Sequence, residues 1–116
     1  MIAVIFELEP KEKCLDNYLD IAGSLLPHLE SIDGFISVER FESLANPGKY
    51  LSLSFFENEE AVRSWRNLEI HRNAQSSGRN DLFKNYRLRV ASVLRDYGLT
   101  EREQAPSDSK SIHNNT

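Results

Sequence analysis

The fifteen residues WRNLEIHRNAQSSGR, from Trp65 to Arg79, hold the chain's only tryptophan, one of its three histidines, three arginines and a glutamine. An imidazole exchanges a proton near neutral pH, and guanidinium and amide groups hold anions in place. On a helix His71 and Gln75, four residues apart, stack on one face beside the apolar edge formed by Ile70 and Ala74, with Arg72 and Ser76 in the neighbouring row. Such a strip lies at the border of buried and open surface, where a small-molecule pocket could form. The same pattern would arise if His71 and Gln75 only bridge local backbone while the arginines are solvated, and Trp65 alone is as readily a core residue.

Other chemistries lack their residues. The sequence has no GxSxG elbow, no phosphate-cradling glycine loop and no HExxH, and His28, His71 and His113 are far apart. Cys14 is the lone cysteine, so neither a disulfide within the chain nor a cysteine-pair metal site is available; an inert thiol on a helix and no metal are expected.

The elements that must position the strip follow from periodicity. IAVIFEL (2–8) reads as a strand that ends at Pro10. Leu15, Tyr18, Leu19, Ala22, Leu25, Leu26 and Leu29 then share one face of a helix that runs to about Ile32, with Pro27 near its last turn. After the Asp33-Gly34 turn, FISVERFESL and KYLSLSFFE flank Asn46-Pro47-Gly48 and predict an antiparallel hairpin over 35–57. Within it Leu51, Leu53 and Phe55 point to a hard-packed side and Ser52 and Ser54 to a small polar one. Asn58 with Glu59 and Glu60 starts a second helix. Ala61, Val62, Trp65 and Leu68 lie on one side of it and Ile70 and Ala74 nearly opposite, which predicts a break near Asn67 and a second short helix over 69–76, with Gly78 suited to its C-terminus. YRLRVASVL alternates apolar residues with Arg87 and Arg89 as a fourth strand. Residues 99–116 have little to bury and predict a disordered tail, which leaves 1–98 as one domain.

The order is β-α-β-β-α-β with a broken second helix, the ferredoxin-like α+β plan. Helices cover one face of such a sheet, and the first strand is apolar on both sides, so face-to-face pairing with a second copy is expected. Charge is polarised in a way that suits this: residues 1–62 carry four basic and twelve acidic side chains, residues 63–95 eight and two, and residues 96–116 two and four. The net charge of −4 overall and the lack of interleaved aromatics argue against a nucleic-acid partner. The start MIAVIFELEP resembles neither a secretion signal nor a membrane span, so a cytoplasmic protein is expected.

From Trp65 to Tyr97 the chain carries a W…HR.AQ..GR…F..YR.RV pattern made by Trp65, His71, Arg72, Ala74, Gln75, Gly78, Arg79, Phe83, Tyr86, Arg87, Arg89 and Val90. With the hairpin GF.S.ERF…NP..YLSLSFFE it resembles antibiotic-biosynthesis-monooxygenase-like domains over roughly residues 2–98. The resemblance implies a homodimeric α+β barrel with a cavity between sheet and helices in each subunit. Proteins of this kind include cofactor-free monooxygenases of aromatic polyketides or quinols, haem-degrading monooxygenases and many of unknown activity.

Cofactor-free oxygenation of a small aromatic or quinol-type molecule needs a base and donors for the resulting anion. His71 would be the base, Arg72, Gln75 and Arg87 the donors, and Trp65 the wall at the reacting centre. The alternative is haem degradation, with His71 on iron and arginines on the propionates. Against it, Glu7 stands where haem-degrading relatives carry asparagine, and His71 lies closer after Trp65 than their histidine does. A non-catalytic dimeric small-molecule-binding module is the third reading.

Overall fold

The computed structural model describes residues 1–68 and 82–113. Its elements are β1 (Ile2–Pro10), α1 (Leu15–Glu30), β2 (Phe35–Glu42), β3 (Tyr50–Phe56), α2 (Glu59–Asn67), β4 (Phe83–Ser92) and a short α3 (Ser107–His113). The strands form one antiparallel sheet in the order β2-β3-β1-β4, the ferredoxin-like α+β arrangement that the element order predicts. This sheet is open, with β2 and β4 as its edges.

Residues directly opposite one another across an antiparallel pair share a face, so the register assigns both sides. Ile2, Val4, Phe6 and Leu8 stand with Phe56, Ser54, Ser52 and Tyr50 of β3 and with Ser92, Val90, Leu88 and Tyr86 of β4. Ala3, Ile5 and Glu7 stand with Phe55, Leu53 and Leu51, and with Ala91, Arg89 and Arg87, on the other side. The helices lie over the first side, where Leu29 of α1 and Ala61 and Val62 of α2 cluster with Phe56, and Ile2, Val4, Phe35, Val38 and Trp65 pack around them. Phe56 is fully buried, edge-on to Phe35 with ring centroids 5.9 Å apart. Burying one such side chain stabilises by about 1.5–3 kcal/mol. That anchor decides the faces: Ser52 and Ser54 lie in the same row as Phe56 and turn toward the helices, while Leu51, Leu53 and Phe55 turn to the open side. The apolar triplet is therefore not the side packed under the helices.

Local chemistry fixes the joints. Gly34 sits at φ +94°, and a Cβ there would stand 3.0 Å from that of Ala61. Its carbonyl accepts from the Glu57 N–H at 2.7 Å, which ties the start of β2 to the end of β3. Asn58 caps α2 by accepting from the Ala61 N–H at 2.9 Å, with Glu59 and Glu60 in the first turn. The helix ends at Asn67 and Leu68 is extended, at the point where the two-faced apolar pattern requires a break. The second short helix expected over 69–76 lies outside the described residues. On α1 the buried stripe is Tyr18, Ala22, Leu25 and Leu29; Leu19 and Leu26 flank it and are exposed.

Disorder is predicted after residue 98, but the structure places α3 there. Short polar ties account for it. Arg102 donates to the Gly98 carbonyl at 3.1 Å and lies over the Tyr97 ring, Gln104 accepts from the Asp96 N–H at 2.8 Å, and Ala105 is buried. Composition, poor here in apolar residues, does not announce order that comes from side-chain-to-backbone bonds.

Candidate functional site

Of the five residues singled out in the sequence, His71, Arg72 and Gln75 lie outside the described residues. Trp65 sits on α2, half-buried against the Leu29–Phe56–Ala61–Val62 cluster on the helix side of the sheet. Arg87 is the direct partner of Glu7 across β4 and β1, and so stands on the open side. The sheet separates Trp65 from Arg87, and an arginine in that position does not line a cavity under the helices.

The helix side of the sheet has an uneven floor. Three rows cross it: Val38, Ser54, Val4 and Val90; Arg40, Ser52, Phe6 and Leu88; Glu42, Tyr50, Leu8 and Tyr86. Serine in a central strand under the helices leaves volume that a larger side chain would fill, and Ser54 is nonetheless buried. On β4 the same side carries Tyr86, Leu88 and Val90, which are 41%, 48% and 49% exposed although they point toward the helix layer. The two longer helices pack toward β2 and β3, which explains why the β4 stripe is open among the described residues. Small hydroxyls beside an uncovered apolar stripe suit a recess for a mostly apolar molecule.

Aromatic rings edge this floor. Phe6 contacts Phe83 and Tyr86 at 5.7 and 5.6 Å between centroids, and Tyr18 of α1 meets Phe83 at 5.6 Å, all edge-to-face. The Tyr18 hydroxyl accepts from Arg40 Nε at 3.2 Å, and the guanidinium carbon lies 5.8 Å from the Tyr18 ring centroid. Ser52 shows in the sequence as part of the small polar side of its strand, whereas Arg40 shows there only by alternating with residues of the other face. Desolvation, and after it the charge and hydrogen bond of Glu42, raise the Tyr50 phenol above its ordinary value.

The open side carries a polar hollow of about 270 Å³ among Glu7, Glu9, Lys49, Asn85, Arg87 and Arg89. Glu7 pairs with Lys49 at 3.3 Å and with Arg89 at 3.4 Å. Among the described residues no group of three or more histidine, cysteine or carboxylate side chains could hold a metal ion, and no helix is long and apolar enough to cross a membrane.

Residues 1–77 match the sequence profile of the family described as antibiotic biosynthesis monooxygenase. The chain belongs to this family. Over 93 residues it is 47% identical to jasmonate monooxygenase ABM of Pyricularia oryzae; the alignment takes in 80% of this chain and 43% of that protein, so the chain spans less than half the relative's length. Two solved structures share the fold. The Mycobacterium tuberculosis protein Rv0793 superposes with a TM-score of 0.73 at 16% identity, covering 84% of this chain and 98% of its own. A candidate antibiotic biosynthesis monooxygenase from Deinococcus radiodurans gives 0.74 at 13% identity, covering 85% and 98%. The family match takes in β1 to α2 and Trp65, whereas Arg87 on β4 lies beyond it.

Proposed function

We propose that this chain is a monooxygenase acting on a small, largely apolar organic molecule held between the sheet and the helices. The observation that carries the reading is its 47% identity to a protein named jasmonate monooxygenase. The uneven floor supports it: Leu88 and Val90 offer apolar surface, and Ser52 and Ser54 leave room and hydroxyl groups beside it.

For a quinol-type aromatic substrate the route needs no cofactor. Loss of an acidic proton leaves an electron-rich anion that passes an electron to dioxygen. Recombination gives a hydroperoxide, and loss of water leaves the carbonyl product. One oxygen atom enters the product, the other leaves as water, and the substrate supplies all the electrons. His71 is the proposed base, Arg72 and Gln75 hold the anion, and Trp65 forms a wall. Arg87 is left out of this role because it stands on the open side. Hydroxylation at an unactivated C–H bond, as on the alkyl body of jasmonate, instead needs two electrons from an external reductant, with two protons, for the second oxygen to leave as water.

The proposal includes a second copy of the chain on the open face, a cytoplasmic setting, and no nucleic-acid or membrane partner. Incubation under ¹⁸O₂, with a quinol alone and with jasmonate plus reduced nicotinamide or flavin, tests the activity. A product carrying one labelled oxygen is the expected result. Absence of labelled product from both substrates overturns the reading. A tight Soret band on adding haemin, lost in His71→Ala, would replace the cofactor-free route with a haem-dependent one.

A further inference from the structure

We propose that Arg40, braced by Tyr18, anchors a carboxylate at one end of the bound molecule, so that the substrate class is a small organic acid with an apolar body. This rests on the reading above of a ligand between sheet and helices. Arg40 gives its Nε–H to the Tyr18 hydroxyl at 3.2 Å, which sets the guanidinium plane and leaves the two terminal nitrogens as a fork. A planar fork of this kind matches the two oxygens of a carboxylate.

The charges of the described residues leave that fork available. Among the described residues no carboxylate lies in ion-pair range of Arg40. Glu42, two residues on and on the same face, accepts the Gly48 N–H at 3.2 Å and stands beside the Tyr50 phenol. Glu39 belongs to the opposite face, and Asp16 and Asp20 on α1 are exposed. Arg40 is exposed on the edge strand, yet the hydroxyl of the buried Tyr18 holds it in one orientation with no compensating acid among the described residues.

What lies beside the cation gives the rest of the ligand. In one row across the sheet Arg40 is followed by Ser52, then Phe6, then Leu88. Three strand spacings make this row about 14 Å long, with a charge and a hydroxyl at one end and a ring and an alkyl group at the other. The linked rings of Tyr18, Phe83, Phe6 and Tyr86 edge the same row and lead from the guanidinium to the exposed apolar stripe of β4. A carboxylate head with an apolar body of about ten carbons fits that sequence of surfaces.

Calorimetric titration with jasmonate and with its methyl ester, which removes the charge and keeps the body, tests the assignment. The acid is expected to bind about tenfold or more tighter than the ester. Arg40→Gln lowers affinity for the acid about tenfold to a hundredfold and leaves the ester unchanged; Arg40→Lys keeps part of the preference, and Tyr18→Phe loses part of it. Circular dichroism and the melting temperature confirm that each variant is folded. Equal affinity for acid and ester, no binding of either, or an Arg40→Gln protein that still prefers the acid overturns the proposal. Acid-selective binding without ¹⁸O incorporation removes the monooxygenase reading and keeps this one. Oxygenation of acid and ester with equal kcat/KM, untouched by Arg40→Gln, does the reverse.

Discussion

Arg87 and Arg89 flank Leu88 on β4, and their alternation shows in the sequence that both point away from it. Which of the two sides receives the helices does not show there, because parity is the same for either choice. The decision lies in Phe56 and its contacts with Leu29, Ala61 and Val62, residues far apart in the chain. For that reason the sequence does not assign Arg87 to a side of the sheet, and it passes over Arg40, whose partner Tyr18 is twenty-two residues away. Tyr50 gives a test at this scale. Desolvation, then Glu42, raise its phenol above the unfolded value of 10.0, so the native state holds the proton more tightly. Its contribution is fully present below about pH 10 and is lost as the pH rises through the higher native value. Urea unfolding at about pH 8 and about pH 11 should show stability falling over that interval, and Tyr50→Phe should lose less. Equal losses in the two proteins would count against it.

The elements themselves were legible because each is written in local chemistry. The alternation of β1, the Asn58 cap with Glu59 and Glu60, and the Asn46-Pro47-Gly48 turn all lie where the backbone realises them. Even the end of α2 at Asn67 follows from the two-sided apolar pattern, since one straight helix cannot bury opposite faces. Less legible was α3, whose order rests on Arg102 and Gln104 reaching backbone atoms and not on an apolar stripe. The junction between α1 and β2 offers a sharp test. At Gly34 a side chain meets two costs, a left-handed backbone at φ +94° and a Cβ 3.0 Å from Ala61 Cβ. Gly34→Ala should therefore destabilise by about 1–3 kcal/mol, with the larger value if Ala61 cannot retreat. A denaturant midpoint that stays at the wild-type position would show that this joint tolerates the strain.

For the whole molecule the open face is the unresolved surface of the fold. Ala3, Ile5, Leu51, Leu53, Phe55 and the exposed Phe41 share it with the carboxylates of Glu7 and Glu39 and the cations of Arg87 and Arg89. An apolar strip flanked by both signs of charge is self-complementary under a two-fold axis, because each copy offers acids to the other's arginines. The polarised chain, acidic in its first half and basic from Arg63 to Arg95, has the same consequence at a larger scale. A second copy would close the two open sheets into one barrel and remove this strip from water, leaving the helix side of each sheet accessible. Leu53 lies in the middle of the strip, opposite Ile5 and Glu39. Wild-type protein is expected to sediment as a dimer with a melting temperature that rises with concentration, and Leu53→Lys should give a monomer whose melting temperature does not. Wild-type protein that sediments as a monomer at all concentrations would leave the strip exposed and refute the pairing. A Leu53→Lys protein that remains dimeric would instead place the interface elsewhere.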